Sequence, residues 1–132
     1  MRHNKGMVNA VAKPYLIFLG DESSSVYAKT GRGIAYWDPD NCVGQIRLSR
    51  DAADIGLPDM TLEEAISAGA KTLVIGIAVV GGSVPASMRA VIWEALSRGM
   101  DVASGTHDRL ADDPEFALAA KSSGARITDV RV

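Results

Sequence analysis

The chain has 132 residues, a length that suits one domain and lets roughly two thirds of the unfolded surface be buried. Hydrophobic residues make up 47% and charged residues 23%, with 14 Lys and Arg against 16 Asp and Glu for a net charge of −2, which excludes disorder, collagen and coiled coil. That balance offers no basic excess for nucleic acid, and no apolar run approaches the ~18 residues that a membrane-spanning helix needs.

Residues 1–13 show no clean period and Pro14 resets the backbone, so a flexible or edge-covering arm is expected, followed by a single domain over 14–132. The Met1 to Ala12 stretch lacks the apolar core of a signal peptide, and the lone Cys42 cannot form an internal disulfide; both point to a reducing, cytoplasmic setting. From Tyr15 onward, short apolar runs alternate with helical patterns. The runs are YLIFL (15–19), CVGQIRL (42–48), TLVIGI (72–77), DVAS (101–104) and RITDV (126–130), which predicts five strands. Continuous rather than alternating apolar strands indicate a sheet covered on both faces, the habit of parallel sheets.

The later helices carry clear start and stop signals. Thr61 and Glu64 form a capping box before LEEAISA, and Gly69 ends that helix. Pro85 suits the first turn of the next, where Met88, Val91, Ile92, Ala95 and Leu96 share one face and Gly99 terminates it. Asp113 and Pro114 open the last. The exits Ser67-Ala68-Gly69, Ser97-Arg98-Gly99 and Ser122-Ser123-Gly124 repeat one α-to-β turn, with the glycines 30 (99 − 69) and 25 (124 − 99) residues apart. That is close to the length of a strand-helix-strand unit. The expected fold is therefore α/β, a Rossmann-like three-layer sandwich with a mainly parallel five-stranded sheet. The chain stops directly after its fifth strand, which is expected to be a boundary within a longer protein.

In such sheets ligands bind beyond the carboxyl ends of the strands, where loops and helix N-termini converge. Gly20 and Asp21, Arg47, the trio Gly81, Gly82 and Ser83, and Ser104, Gly105, Thr106 and His107 all fall on that rim. Cys42, Lys71, Asp101 and Arg126 begin strands and lie at the opposite edge, so Cys42 is expected to pack rather than react. Residues 76–83 approach the pattern G-x-x-x-x-G-K-[ST], but Gly82 stands where the lysine must be, leaving a glycine pair whose backbone N–H groups could cradle an anion or simply turn the chain. Gly31-Arg32-Gly33 imitates G-x-G-x-x-G without its third glycine or its preceding strand, so no standard dinucleotide site is expected there.

His107 is the candidate for proton transfer, since its ordinary pKa lies near neutrality. Asp21 either accepts a hydrogen bond from a ligand or caps the following helix. Lys29 and Arg47 are candidates for holding a carboxylate or phosphate, Arg47 through its planar fork. Tyr36 and Trp37, before Asp38-Pro39, are expected to form a packed corner. Two His and one Cys without ligand spacing support no metal site.

The segments PYLIFLGD (14–21), AKTGRGIAYWDPDNCVGQIRL (28–48), GLPDMTLEEAISAGAKTLVIGIAVVGG (56–82) and DVASGTHDRL (101–110) together resemble the N-terminal domain of the bacterial D-glutamate N-acetyltransferase family, long a family of unknown function. The resemblance implies a Rossmann-like half normally followed by a C-terminal P-loop domain, absent from this chain, and a reaction that acetylates D-glutamate from acetyl-CoA in D-amino-acid catabolism. Asp21, Lys29, Thr30, Arg47, Ser104, Gly105 and His107 lie inside the resembling segments. Three roles then compete. The domain could hold the small-molecule substrate, with Arg47 or Lys29 on a carboxylate and His107 taking the ammonium proton. It could be a nucleotide- or CoA-binding module that uses Gly81, Gly82 and Ser83 for phosphate. It could instead be a structural module that docks on the P-loop domain or builds a homo-oligomer. On any of these readings the isolated half is expected to be inactive alone.

Overall fold

The apolar run from Tyr15 becomes an interior strand because none of its side chains needs water on either face. In the computed structural model, which describes residues 11–20, 29–75, 86–104 and 110–129, β1 (Tyr15–Gly20) is buried at every position. There follow α1 (Lys29–Trp37), a 3-10 turn (Pro39–Asn41), β2 (Cys42–Arg47), α2 (Leu62–Ser67), β3 (Thr72–Ile75) and α3 (Ala86–Ser97). Next come β4 (Asp101–Ser104), a second 3-10 turn (Leu110–Asp112), α4 (Pro114–Ser123) and β5 (Ile127–Asp129). The expected tail of β3 at Gly76 and Ile77 lies outside the described residues.

The strands form one sheet in the order β2-β1-β3-β4-β5, and every pairing in it is parallel. The fold is α/β and Rossmann-like, as the spacing of apolar runs predicts. With the right-handed crossovers that parallel units adopt, this strand order sets α1 on one face and α2, α3 and α4 on the other. The chain leaves β1 toward one edge and returns past it to β3, so the topological switch point lies between β1 and β3.

The three repeated exits behave alike for one reason. Gly69, Gly99 and Gly124 have φ of 91°, 86° and 85°, the left-handed region that a side chain disfavours. The amide after each of the first two glycines then reaches back into the last helical turn, Ala70 to the carbonyl of Ala65 and Met100 to that of Ala95. The Thr61 box is also present: Thr61 Oγ1 accepts from the Glu64 amide at 3.0 Å and Glu64 Oε1 from the Thr61 amide at 2.8 Å. On α3, Met88, Ile92, Ala95 and Leu96 are buried and Val91 is partly so, the face read from spacing. They meet Phe116, Ala119 and Ala120 of α4 in the core.

A polar clamp closes the α3–α4 seam. Arg89 donates to Asp113 at 2.6 Å and to Glu115 at 2.7 Å, and its guanidinium lies 4.5 Å over the Phe116 ring. Asp113 also caps α4 by accepting from the amides of Glu115 and Phe116. Both roles favour the carboxylate, so the Arg89 hydrogen bond first and the amides after it hold its pKa below the ordinary range.

The described end of the arm is tied down. Val11 is buried in the core, Ala12 accepts a hydrogen bond from Thr72 Oγ1 at 2.7 Å, and the Pro14 carbonyl takes the Lys71 amide at 2.8 Å. Tyr36 and Trp37 do not form the expected packed corner. They are 82% and 52% exposed and touch each other edge-on, with ring centroids 6.1 Å apart. The inward face of α1 is set by Gly31 and Ile34, three residues apart, and Tyr36 falls on the opposite side of that helix.

Cys42 begins β2 at the amino edge of the sheet, as expected. Burial first, then the neighbouring Asp38 carboxylate, push its thiol up to about 11. The same two causes, with Cys42 added, push Tyr15 to about 12. A raised folded-state pKa means that the stabilisation is complete below the ordinary value and is lost as pH rises toward the folded one. The unfolding temperature should therefore hold to about pH 9, the ordinary value for the thiol, and fall between there and pH 11. In Cys42→Ala the thiol's share of that fall should vanish, so circular-dichroism melts of the two proteins should converge as pH rises.

Candidate functional site

A polar side chain inside a strand that is buried on both faces needs partners, and Gln45 in the middle of β2 finds a full set. It is completely buried. Its Nε2 donates to Asp54 Oδ1 at 2.9 Å and to Asp59 Oδ1 at 3.0 Å, and its Oε1 accepts from the Ile55 amide at 3.0 Å. Its backbone continues the pattern, with the Gln45 amide bonded to the Pro58 carbonyl at 2.8 Å and the Met60 amide to the Gln45 carbonyl at 2.9 Å. Residues 58–60 thus run beside β2 as a one-residue parallel bridge that covers the sheet edge.

Two residues on, Arg47 ends β2 at the carboxyl rim. Its fork grips Asp59 in two bonds, Nε to Oδ1 at 2.7 Å and Nη2 to Oδ2 at 2.8 Å, and Nη1 donates to the Ala52 carbonyl at 3.0 Å. The hydrogen bond to Asp59 leads the causes that raise the guanidinium pKa, with the charges of Asp59 and Asp54 behind it. Hydrogen bonds from Arg47 first and Gln45 second lower that of Asp59. The Gly56 amide, then Gln45, do the same for Asp54. Acid alone would loosen this loop, and only below the ordinary carboxylate range, because a depressed pKa keeps its contribution above that value.

The network shapes an open cleft of about 430 Å³ at the end of β2. Its lining runs from Arg47 to Arg50 and from Asp59 to Thr61, with Glu64. Among the described residues Arg50 meets no acidic or carbonyl partner. Glu64 spends one carboxylate oxygen on the Thr61 amide.

The other expected site residues spread along the same rim. Lys29 and Thr30 open α1. Ser104 ends β4 and is 2% exposed, opposite Asp129 of β5. It stands three strands from Arg47, roughly 14 Å at ~4.8 Å per strand. The structure therefore puts Arg47 and Ser104 on one rim and not in one pocket. Asp21, Gly81, Gly82, Ser83, Gly105 and His107 lie outside the described residues. Gly31 and Gly33 sit inside α1 rather than in a strand-to-helix turn, in line with the absence of a standard dinucleotide motif.

Gln45, Asp54, Asp59 and Arg50 have no place among the site residues read from sequence. One signal was present: an amide side chain in the apolar run CVGQIRL must be bonded if that run is a buried strand.

Residues 45–132 match a family described as a domain of unknown function (DUF1611_N), a Rossmann-like domain. A protein of Tritonibacter scottomollicae named D-glutamate N-acetyltransferase is 48% identical over 122 residues, which is 92% of this chain and 37% of that protein. A protein of the same name from a Pseudoalteromonas species is 31% identical over 121 residues, 92% of this chain and 36% of that one. A crystal structure of a DUF1611 family protein from Anabaena variabilis superposes with a TM-score of 0.72 at 26% identity, covering 91% of this chain and 37% of that one. The chain thus spans little more than a third of the length of the relatives it matches.

Proposed function

The chain belongs to the DUF1611_N family of Rossmann-like domains, and from that premise we propose that it is the substrate-holding half of a protein that acetylates the amino group of D-glutamate from acetyl-CoA. The observation that carries this reading is the 48% identity to a protein named for that activity, sustained over 92% of the chain. The chemistry asks for a neutral amine. A base takes the ammonium proton, the amine nitrogen bonds to the thioester carbonyl carbon, and the C–S bond breaks to release CoA. His107 is proposed as that base, and the rim cleft beside Arg47 as the place where a carboxylate is held. The relatives' greater length supports a second domain, proposed to carry a P-loop, as the partner needed for turnover. Among the described residues no helix is long and apolar enough to cross a membrane, and a cytoplasmic setting, where acetyl-CoA is at hand, goes with the proposal.

A second reading draws on the strand order. The switch point between β1 and β3 is where doubly wound sheets take nucleotides, which favours a CoA- or nucleotide-binding role with Gly81, Gly82 and Ser83 near the phosphates. Isothermal titration of the chain with D-glutamate, L-glutamate and acetyl-CoA separates the two. Heat with D-glutamate, together with no acetyl transfer by the chain alone, is the expected result. Heat with acetyl-CoA only would replace the first reading by the second, and heat with none would leave a structural or oligomer-building role.

A further inference from the structure

The cleft at the end of β2 contains two arginines, and they are not equivalent. Arg47 sits where a ligand-binding arginine would be sought, yet its Nε–Nη2 edge is taken by Asp59 and one N–H of Nη1 by the Ala52 carbonyl, three of its five donors. To offer the Nε–Nη2 edge to a ligand it would have to release Asp59, and Asp59 also accepts from the buried Gln45 amide. Arg47 is thereby a strut between β2 and the loop that covers the sheet edge. Arg50, three residues on and exposed, lines the same cleft with no acidic or carbonyl partner among the described residues.

The lining of the cleft also carries a group of opposite charge. Glu64 gives Oε1 to the Thr61 amide. Its other oxygen has no partner among the described residues. With Arg47 and Asp59 neutralising each other, the unspent charges among the described residues that line the cleft are one cation at Arg50 and one anion at Glu64. A ligand that carries both a carboxylate and an ammonium satisfies both at once. A simple anion or a simple amine would leave one of them facing a like charge.

We propose that this cleft binds a zwitterionic α-amino acid, with Arg50 taking a carboxylate, Glu64 taking the ammonium group, and the Arg47–Asp59 pair acting as the positioning strut. The proposal deepens the reading of the chain as a substrate-holding half and rests on it for the choice of D-glutamate as first ligand. It assigns specificity to Arg50 in place of Arg47. The cleft is a site of capture. The reacting amine would leave Glu64 as it loses its proton, so Glu64 is placed in binding and not in the transfer.

The test titrates the chain and its variants with D-glutamate, with other α-amino acids, and with glutarate, which keeps both carboxylates and lacks the ammonium. Arg50→Ala should weaken D-glutamate roughly tenfold or more, the loss expected of one charge-assisted contact, and Arg50→Lys should recover part of it. Glu64→Gln keeps an oxygen for the Thr61 cap, so the fold is retained. It should weaken D-glutamate while leaving glutarate as weak or making it tighter. Melting temperatures should match the parent in the two Arg50 variants, because Arg50 makes no hydrogen bond or ion pair among the described residues, and in Glu64→Gln, because the amide oxygen keeps the Thr61 cap. D-glutamate affinity unchanged in Arg50→Ala overturns the site while the D-glutamate reading survives. Binding of other amino acids in place of D-glutamate, lost in Arg50→Ala, upholds the site and overturns the choice of substrate. Glutarate bound as tightly as D-glutamate, or no heat with any amino acid, overturns the proposal.

Discussion

Replacing Gly44 by alanine is expected to destabilise the chain by about 2–3 kcal/mol, a large effect for one methyl group in a strand. A Cβ built on Gly44 would lie 2.7 Å from the Pro58 carbonyl oxygen and 2.8 and 2.9 Å from Sδ and Cγ of Met60. Met60 could turn its thioether away. The carbonyl cannot yield as easily, because it is backbone and is bonded to the Gln45 amide at 2.8 Å. The added methyl therefore pushes the whole of residues 58–60 off the strand and opens the sheet edge. An unfolding free energy lowered by that amount in urea, seen as a lower midpoint at unchanged slope, with the loss of amide protection at Gln45 and Met60, is the expected result. A midpoint like the parent's would mean that the edge segment moves freely and holds no cleft in place. Alanine at Gly33, where a Cβ meets nothing within 4 Å, is the matched control.

The difference between what the sequence conveys and what it hides follows the range of the interactions. The strands, the Thr61 capping box, the Asp113 cap and the three glycine exits are written in residues no more than a few positions apart, and each lies where the spacing places it. The parallel sheet follows from apolar runs that cannot face water. The cleft is different. Its organising contacts join Gln45 to Asp54 and Asp59 and Arg47 to Asp59, nine to fourteen positions apart, across a loop without periodicity. Nothing local tells which of the acids in DAADIGLPD will meet the strand. Arg47 looked available because its partner is set by tertiary folding, and Arg50 looked ordinary because its freedom appears only once Arg47 is seen to be occupied. Tyr36 and Trp37 mislead for a related reason. Aromatic residues before a proline suggest a buried corner, but the helix phase fixed by Gly31 and Ile34 turns Tyr36 outward, and Trp37, the last residue of that helix, stays half exposed.

The most sensitive point of the network is Gln45, and Gln45→Glu should be more damaging than Gly44→Ala. The substitution keeps size and shape but exchanges a donor for a carboxylate, placing it where the amide nitrogen now lies 2.9 Å from Asp54 and 3.0 Å from Asp59. Three acidic groups then converge at a completely buried position, and the expected cost at pH 7 is about 3–5 kcal/mol, the range for an uncompensated buried charge. The sign of the pH dependence identifies the cause. Burial and two neighbouring carboxylates raise the pKa of the introduced carboxyl, so its neutral form is favoured in the fold. The deficit should shrink as pH falls from 8 toward the ordinary glutamate value near ~4.3. The parent should behave oppositely at the acid end, since the lowered pKa values of Asp54 and Asp59 keep their contributions above the ordinary carboxylate range and surrender them below it. Melts of parent and variant should therefore approach each other on acidification. Gln45→Leu separates charge from lost hydrogen bonds. It strands the Ile55 amide, which now donates to Gln45 Oε1 at 3.0 Å, and should cost about 1–3 kcal/mol with little change between pH 5 and 8. Parallel pH profiles for the two variants would show that the acids do not meet at this strand, and the cleft built on them would lose its frame.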